Sequence, residues 1–286
     1  MLFFLLIVVL PSIISCWSVS LFNQVYDYDV ALIYYNPDPF TNLRCTGLLV
    51  SPNIILTAAH CFENNYGSAI DPSHVKVYLG LKTVNDNNLK RAQQDVKKVI
   101  THENYHFTYS ENDIGVIILQ KSVSNFCGKP HYAIAPPLEA TKTRGYFNIK
   151  SLPSYDNCFF MGWGSPHISI ENNLLNKKVI KNLVMRNDIS TQRAKKQSML
   201  FSNIISSSDS PCNGDSGGPI ICRYIVGNIP YNYVVGVISE ASSSAPPDAT
   251  PQQFCDNTDL MFGSSVGLHS MWLYEKIEYY RDTQPC

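Results

Sequence analysis

Apolar, β-branched and aromatic residues recur along this chain in short runs. Val30-Ala31-Leu32-Ile33-Tyr34-Tyr35, Val75-Lys76-Val77-Tyr78-Leu79 and Ile114-Gly115-Val116-Ile117-Ile118-Leu119 occur in the first half. Lys178-Val179-Ile180-Lys181-Asn182-Leu183-Val184 and Tyr233-Val234-Val235-Gly236-Val237-Ile238 follow in the second. Each has strand length, and Gly, Pro, Asn and Ser separate them, which predicts an antiparallel all-β sandwich or barrel. Near the end the period changes. Leu273, Ile277 and Tyr280 fall at i, i+4 and i+7 after Ser270, so a C-terminal helix is expected there with Ser270 as its cap. Ser206-Ser207-Ser208 and Ser242-Ser243-Ser244 read as loops. No internal repeat or low-complexity linker divides the 286 residues. β-barrel chains of more than about two hundred residues often form one unit.

The first residues follow another pattern. Met1–Leu10 is apolar throughout, Pro11 breaks it, and small residues lead up to Cys16 and Ser18. A short apolar core before small residues predicts a signal peptide over residues 1–18 and a mature chain over 19–286, although the usual basic start is absent. The run is shorter than the roughly 20 residues a membrane-spanning helix needs. A secreted, extracellular protein is therefore expected, with no membrane association.

The leader changes how the cysteines read. Of the nine, Cys16 lies in the leader and eight follow it. An even number in an oxidising compartment predicts disulfides. No Cys-x-x-Cys pair occurs, which argues against a zinc site; no metal site and no cofactor are expected. Lys and Arg number 22 against 23 Asp and Glu, which gives no electrostatic reason to expect nucleic acid.

Three segments carry chemistry: Leu56-Thr57-Ala58-Ala59-His60-Cys61, Glu111-Asn112-Asp113-Ile114-Gly115-Val116 and Cys212-Asn213-Gly214-Asp215-Ser216-Gly217-Gly218-Pro219. A serine hydroxyl is a weak nucleophile and needs an adjacent base. Histidine titrates near neutrality, so it can take that proton and return it. A buried carboxylate fixes the imidazole tautomer and steadies the imidazolium. Thr-Ala-Ala-His-Cys, Asn-Asp-Ile and Gly-Asp-Ser-Gly-Gly-Pro, in that order, resemble the chymotrypsin-like serine proteases. An esterase of the other common triad fold would run Ser, Asp, His instead.

The resemblance covers the chain from Val30 to the final helix. It implies two packed six-stranded antiparallel β-barrels with a C-terminal helix. It makes His60 the base, Asp113 its orienting carboxylate, Ser216 the nucleophile, and the Gly214 and Ser216 amides an oxyanion hole. Such a hole lowers the barrier by about 3–4 kcal/mol. It also implies the bridges Cys45–Cys61, Cys158–Cys222 and Cys212–Cys255, leaving Cys127 with Cys286. A monomer acting on polypeptide substrates is expected, with protein protease inhibitors as a second class of partner. The rival reading is a secreted homologue that kept the triad but acts by binding.

Two departures stand out. Ser210 falls at the floor of the specificity pocket, where trypsin-like enzymes have an aspartate, and Asp209 sits one step out of register. Ser239-Glu240-Ala241 replaces the usual Ser-Trp-Gly of the pocket-lining strand. Met261, or Phe262 if a gap shifts the match, replaces a wall glycine. Ser210, Ser239, Ala241 and Met261 are thus the expected substrate-binding positions, in a narrowed pocket that does not favour Arg or Lys. The second departure concerns Asp215, which in the family pairs with a new N-terminal amine. No Ile-Val-Gly-Gly occurs, and residues 1–43 contain neither Lys nor Arg. Either cleavage after Ser18 exposes Val19 directly, or Asp215 stays without a partner and no competent site forms.

Overall fold

The computed structural model describes residues 27–35, 44–63, 69–84, 86–123, 133–134, 158–165, 174–180, 183–185, 199–203, 210–226 and 229–282. Residues 1–18, where a signal peptide is expected, and Ser206–Ser208, Asp209, Cys127 and Cys286 lie outside them. The first sheet is built from β1 (Val30–Tyr35), β2 (Arg44–Ser51), β3 (Ile54–Thr57), β4 (Val75–Tyr78), β5 (Gln93–Gln94), β6 (Val96–Thr101) and β7 (Gly115–Leu119). Its strand order is β5-β4-β1-β2-β3-β7-β6. The two outermost strands, β5 and β6, are parted in sequence by Asp95 alone. They are one bent strand hydrogen-bonded at both ends of the sheet, which closes it into a six-stranded barrel.

The second sheet repeats the device. It contains β9 (Cys158–Gly162), β10 (Asn176–Ile180), β11 (Val184–Met185), β12 (Met199–Asn203), β13 (Pro219–Val226), β14 (Ile229–Ser243) and β15 (Thr258–Ser265). Their order is β10-β9-β13-β14-β15-β12-β11, so the outer strands are again near neighbours in the chain. The short β8 (Ala133–Ile134) pairs with β14 off this path. Three α-helices, α1 (Asp86–Ala92), α2 (Pro251–Asp256) and α3 (Ser270–Tyr280), and four short 3-10 turns complete the described elements. The fold is the expected pair of antiparallel barrels with a C-terminal helix.

The apolar runs are continuous because the barrel walls are covered on both faces. Ala31, Ile33, Ile55 and Ile117 point into the first barrel. Their neighbours Val30, Leu32, Ile54, Leu56, Val116 and Ile118 pack between the barrels against Met161, Trp163, Val234 and Val237. The period of two is preserved, but each face meets its own core. Phe160, Ile180, Ile220, Ile238 and Met261 fill the second barrel.

Helix α3 buries Leu273 and Ile277 against the inter-barrel core. Its cap is His269 and Ser270 is already helical, one step from the expected boundary. Ser242 and Ser243 belong to β14 and pair with Leu260 and Thr258, because the strand continues through a bulge where a loop was expected. Among the described residues no helix is long and apolar enough to cross a membrane.

Candidate active site

His60 opens a single 3-10 turn directly after β3. The two preceding alanines, Ala58 and Ala59, are fully buried, and the Cys45–Cys61 disulfide ties the turn to β2. Asp113 enters from the first barrel just before β7. Asn112 ahead of it takes a left-handed φ of 53°, a conformation asparagine tolerates better than most residues. The Asp113 carboxylate is fully buried and uses both oxygens: Oδ1 accepts from the His60 backbone N–H at 2.8 Å, and Oδ2 lies 2.7 Å from His60 Nδ1. Ser239 Oγ also donates to Oδ2. With Nδ1 committed to the carboxylate as a donor, Nε2 is left as the basic nitrogen.

Electrostatics follow from this geometry. Burial alone would lower the His60 pKa, but the Asp113 charge and hydrogen bond, helped by Glu240 and Glu63, hold it above the usual histidine value. Burial alone would raise Asp113. The His60 charge and the bonds from His60 and Ser239 more than offset that and keep the carboxyl below its ordinary range.

Ser216 comes from the second barrel and is half-buried. Its carbonyl accepts from Thr46 N–H at 2.8 Å, next to the Cys45 that bridges to Cys61. Gly217 takes a φ of +75° and lies so close to Thr57 Oγ1 and the Ala58 N–H that a Cβ has no room. Its own N–H donates to the Ile238 carbonyl at 2.7 Å, and Ile238 N–H donates to the Gly218 carbonyl at 2.9 Å. The Ser216 loop is therefore fastened to β2, which the Cys45–Cys61 bridge ties to the His60 turn, and to β14, which carries Ser239. Among the described residues, neither the Gly214 nor the Ser216 amide donates to another protein group.

Asp215, between those two amides, points the other way and is fully buried. It accepts from Gly164 N–H and Cys212 N–H, each at 2.8 Å. A Cβ on Gly162 or Gly164 would run into its carboxylate, so both glycines are required by close approach. Its carboxylate also has a cation nearby: Lys178 Nζ lies 3.8 Å from Oδ2. Burial raises the Asp215 pKa, while Lys178 and the two backbone donors act against that rise.

The four expected substrate-binding positions are divided. Ser210 is buried, with its carbonyl accepting a hydrogen bond from Lys178. Ser239 turns its hydroxyl to Asp113, away from any pocket role for that group. Ala241 pairs with Met261 across β14 and β15, and Phe262 pairs with Glu240. Met261 is fully buried in the second barrel beside Ile180, Leu183 and Ile238. The bridges Cys158–Cys222 and Cys212–Cys255 are formed as expected. Cys45, His60 and Cys61 cluster closely, but the two sulfurs are joined as a disulfide and offer no thiolate to a metal.

Sequence reasoning missed Lys178. A usable signal was present, since Lys178 shares a strand face with the buried Ile180, while Lys177 and Val179 point outward. An inward-facing lysine requires a partner.

The family model described as Trypsin matches residues 23–255. The chain belongs to the trypsin family of serine proteases. It is similar to urokinase-type plasminogen activator of Gallus gallus, 27% identical over 207 residues, which covers 68% of this chain and 45% of that protein. It thus spans less than half the length of the chicken relative. Kallikrein-7 of Homo sapiens is 28% identical over 203 residues, covering 69% of this chain and 68% of the relative. The trypsin-family assignment agrees with the paired barrels.

Proposed function

We propose that this protein is a secreted serine endopeptidase working through an acyl-enzyme, with His60, Asp113 and Ser216 as its triad. The observation that carries the reading is the buried Asp113 carboxylate held 2.7 Å from His60 Nδ1, on the face where the Ser216 loop is fastened. His60 Nε2 takes the Ser216 Oγ proton as the oxygen attacks the scissile carbonyl. The resulting oxyanion is received by the Gly214 and Ser216 amides. Collapse breaks the C–N bond, and the imidazolium returns its proton to the leaving amine. Water then repeats the cycle on the ester, with His60 again as base, and releases the acid product.

Specificity follows from the same positions. Ser210 at the floor supplies no carboxylate, and the buried Met261 side chain occupies space that a wall glycine would leave open. Small or apolar side chains fit this better than a cation, whose burial without a partner is costly.

Fluorophosphonate labelling of the secreted protein, compared with Ser216→Ala, tests the reading. Covalent labelling that the substitution abolishes is the expected result. An unlabelled native protein would overturn it in favour of the homologue that acts by binding.

A further inference from the structure

We infer that the Lys178 ammonium is the built-in counter-charge of Asp215, ordering the Cys212–Ser216 loop without any N-terminal amine inserted there. The inference rests on the proposed protease function and adds to it how the site reaches working geometry.

Lys178 stands on β10 directly opposite Phe160 of β9. That register lays the lysine stem over the Phe160 ring, with Nζ 5.8 Å from its centroid. The ammonium then reaches two groups on the segment leading into the nucleophile. It lies 3.8 Å from Asp215 Oδ2 and donates to the Ser210 carbonyl. The Lys178 side chain is 17% exposed and the Asp215 side chain 0%, so little solvent screens the pair. A fully buried carboxylate left with backbone donors alone would be strongly disfavoured as an anion. Lys178 supplies the missing positive charge from within the second barrel itself.

The geometry also makes Lys178 a positioning residue. Asp215 precedes Ser216 and follows Gly214, so fixing its carboxylate orients the peptide units on both sides. Those units carry the two amides that the proposed mechanism uses. The Lys178–Ser210 contact adds the expected pocket floor to the same assembly.

The experiment uses the secreted full chain and the variants Lys178→Ala and Lys178→Arg, with fluorophosphonate labelling rate as readout. Lys178→Ala should label slower by about tenfold or more, the loss expected when the competent conformer falls to a tenth of its population. Lys178→Arg should retain most of the rate. n-Propylammonium, which replaces the deleted atoms, should restore Lys178→Ala saturably where sodium chloride at equal ionic strength does not. Lengthening the mature N-terminus by two residues should leave labelling unchanged. Native labelling with an unaffected Lys178→Ala, or labelling lost on N-terminal extension, overturns the inference and leaves the protease reading standing.

A second measurement is independent of catalysis. In a Ser216→Ala background, Lys178→Ala should speed hydrogen exchange at the Cys212 and Gly164 amides. Faster exchange together with a native protein that never labels would support the ion pair and reject the protease. Unchanged exchange would reject the ion pair's ordering role.

Discussion

Ser239 Oγ donates to Asp113 Oδ2 at 2.5 Å, the same oxygen that faces His60 Nδ1. The residue before it, Ile238, bonds through its backbone to Gly217 and Gly218. One dipeptide of β14 thus holds the first barrel's carboxylate on one side and the second barrel's Ser216 loop on the other. The relative placement of His60 and Ser216 depends on this junction.

Ser239→Ala tests the junction. It leaves a buried carboxylate short of one donor, and a hydrogen bond to a charged group is worth roughly 1.5–3 kcal/mol. A fall in kcat/KM of about tenfold or more is expected, with the protein still folded by circular dichroism. Unaltered kinetics would mean that Asp113 is held adequately by His60 alone.

The pH profile should rise late. In the proposed mechanism only neutral His60 accepts the Ser216 proton, and its pKa is held above 6.5. Activity should therefore increase as pH passes through a value higher than that of free histidine. The same raised pKa favours the folded state while His60 is charged. That contribution is full below pH 6.5 and fades as pH rises through the folded value. Asp113→Asn should move the limb to lower pH and reduce kcat on the order of 10⁴-fold. Glu240→Gln should move it the same way by less. A limb below 6.5 in the native protein would contradict the electrostatic picture.

Gly164→Ala places a methyl group against the Asp215 carboxylate. Both stability and labelling should fall, by about 1–3 kcal/mol in the former case, as overpacked buried sites do. Combining it with Asp215→Ala should cost less stability than the sum of the two changes, because the clash disappears with the carboxylate. Additive losses in a double-mutant cycle would show that the methyl group collides with something else.

Substrate preference can be read from a peptide library varied at the residue before the cleaved bond. Small or apolar residues should dominate and Arg or Lys should be poor. Met261→Gly should shift preference toward larger aromatic side chains, by about tenfold or more in kcat/KM, since each buried methylene is worth about 0.8 kcal/mol. A native profile led by Arg would imply that an acidic group reaches the pocket floor.

The three observed bridges and the strand runs were legible because each is local: a cysteine, or a period of two; the His60–Asp113 contact followed from two short motifs. The two cores that sandwich β1, β3 and β7 could be anticipated from their unbroken apolar runs. Other features depend on register and were not legible. Which residue faces Ala241 is decided by the β14–β15 pairing across a bulge, and the sequence could not choose between Met261 and Phe262. The partner of Asp215 lies 37 residues upstream, and only the β9–β10 register aims Lys178 at it. Ser239 was expected to bind substrate, and its hydroxyl bonds to Asp113 across 126 residues of sequence, a contact that residue spacing does not encode.

The bent strand at Asp95 has a further effect. Because β5 and β6 occupy both margins of the first sheet, that barrel has no terminal strand at which hydrogen bonds can fray one by one. Its opening must break two pairings together, so amide protection across β1 to β7 should be lost cooperatively. Closure also denies a second chain the free strand margin on which intermolecular sheets grow, a useful property for a protein expected to work outside the cell, beyond the reach of intracellular chaperones.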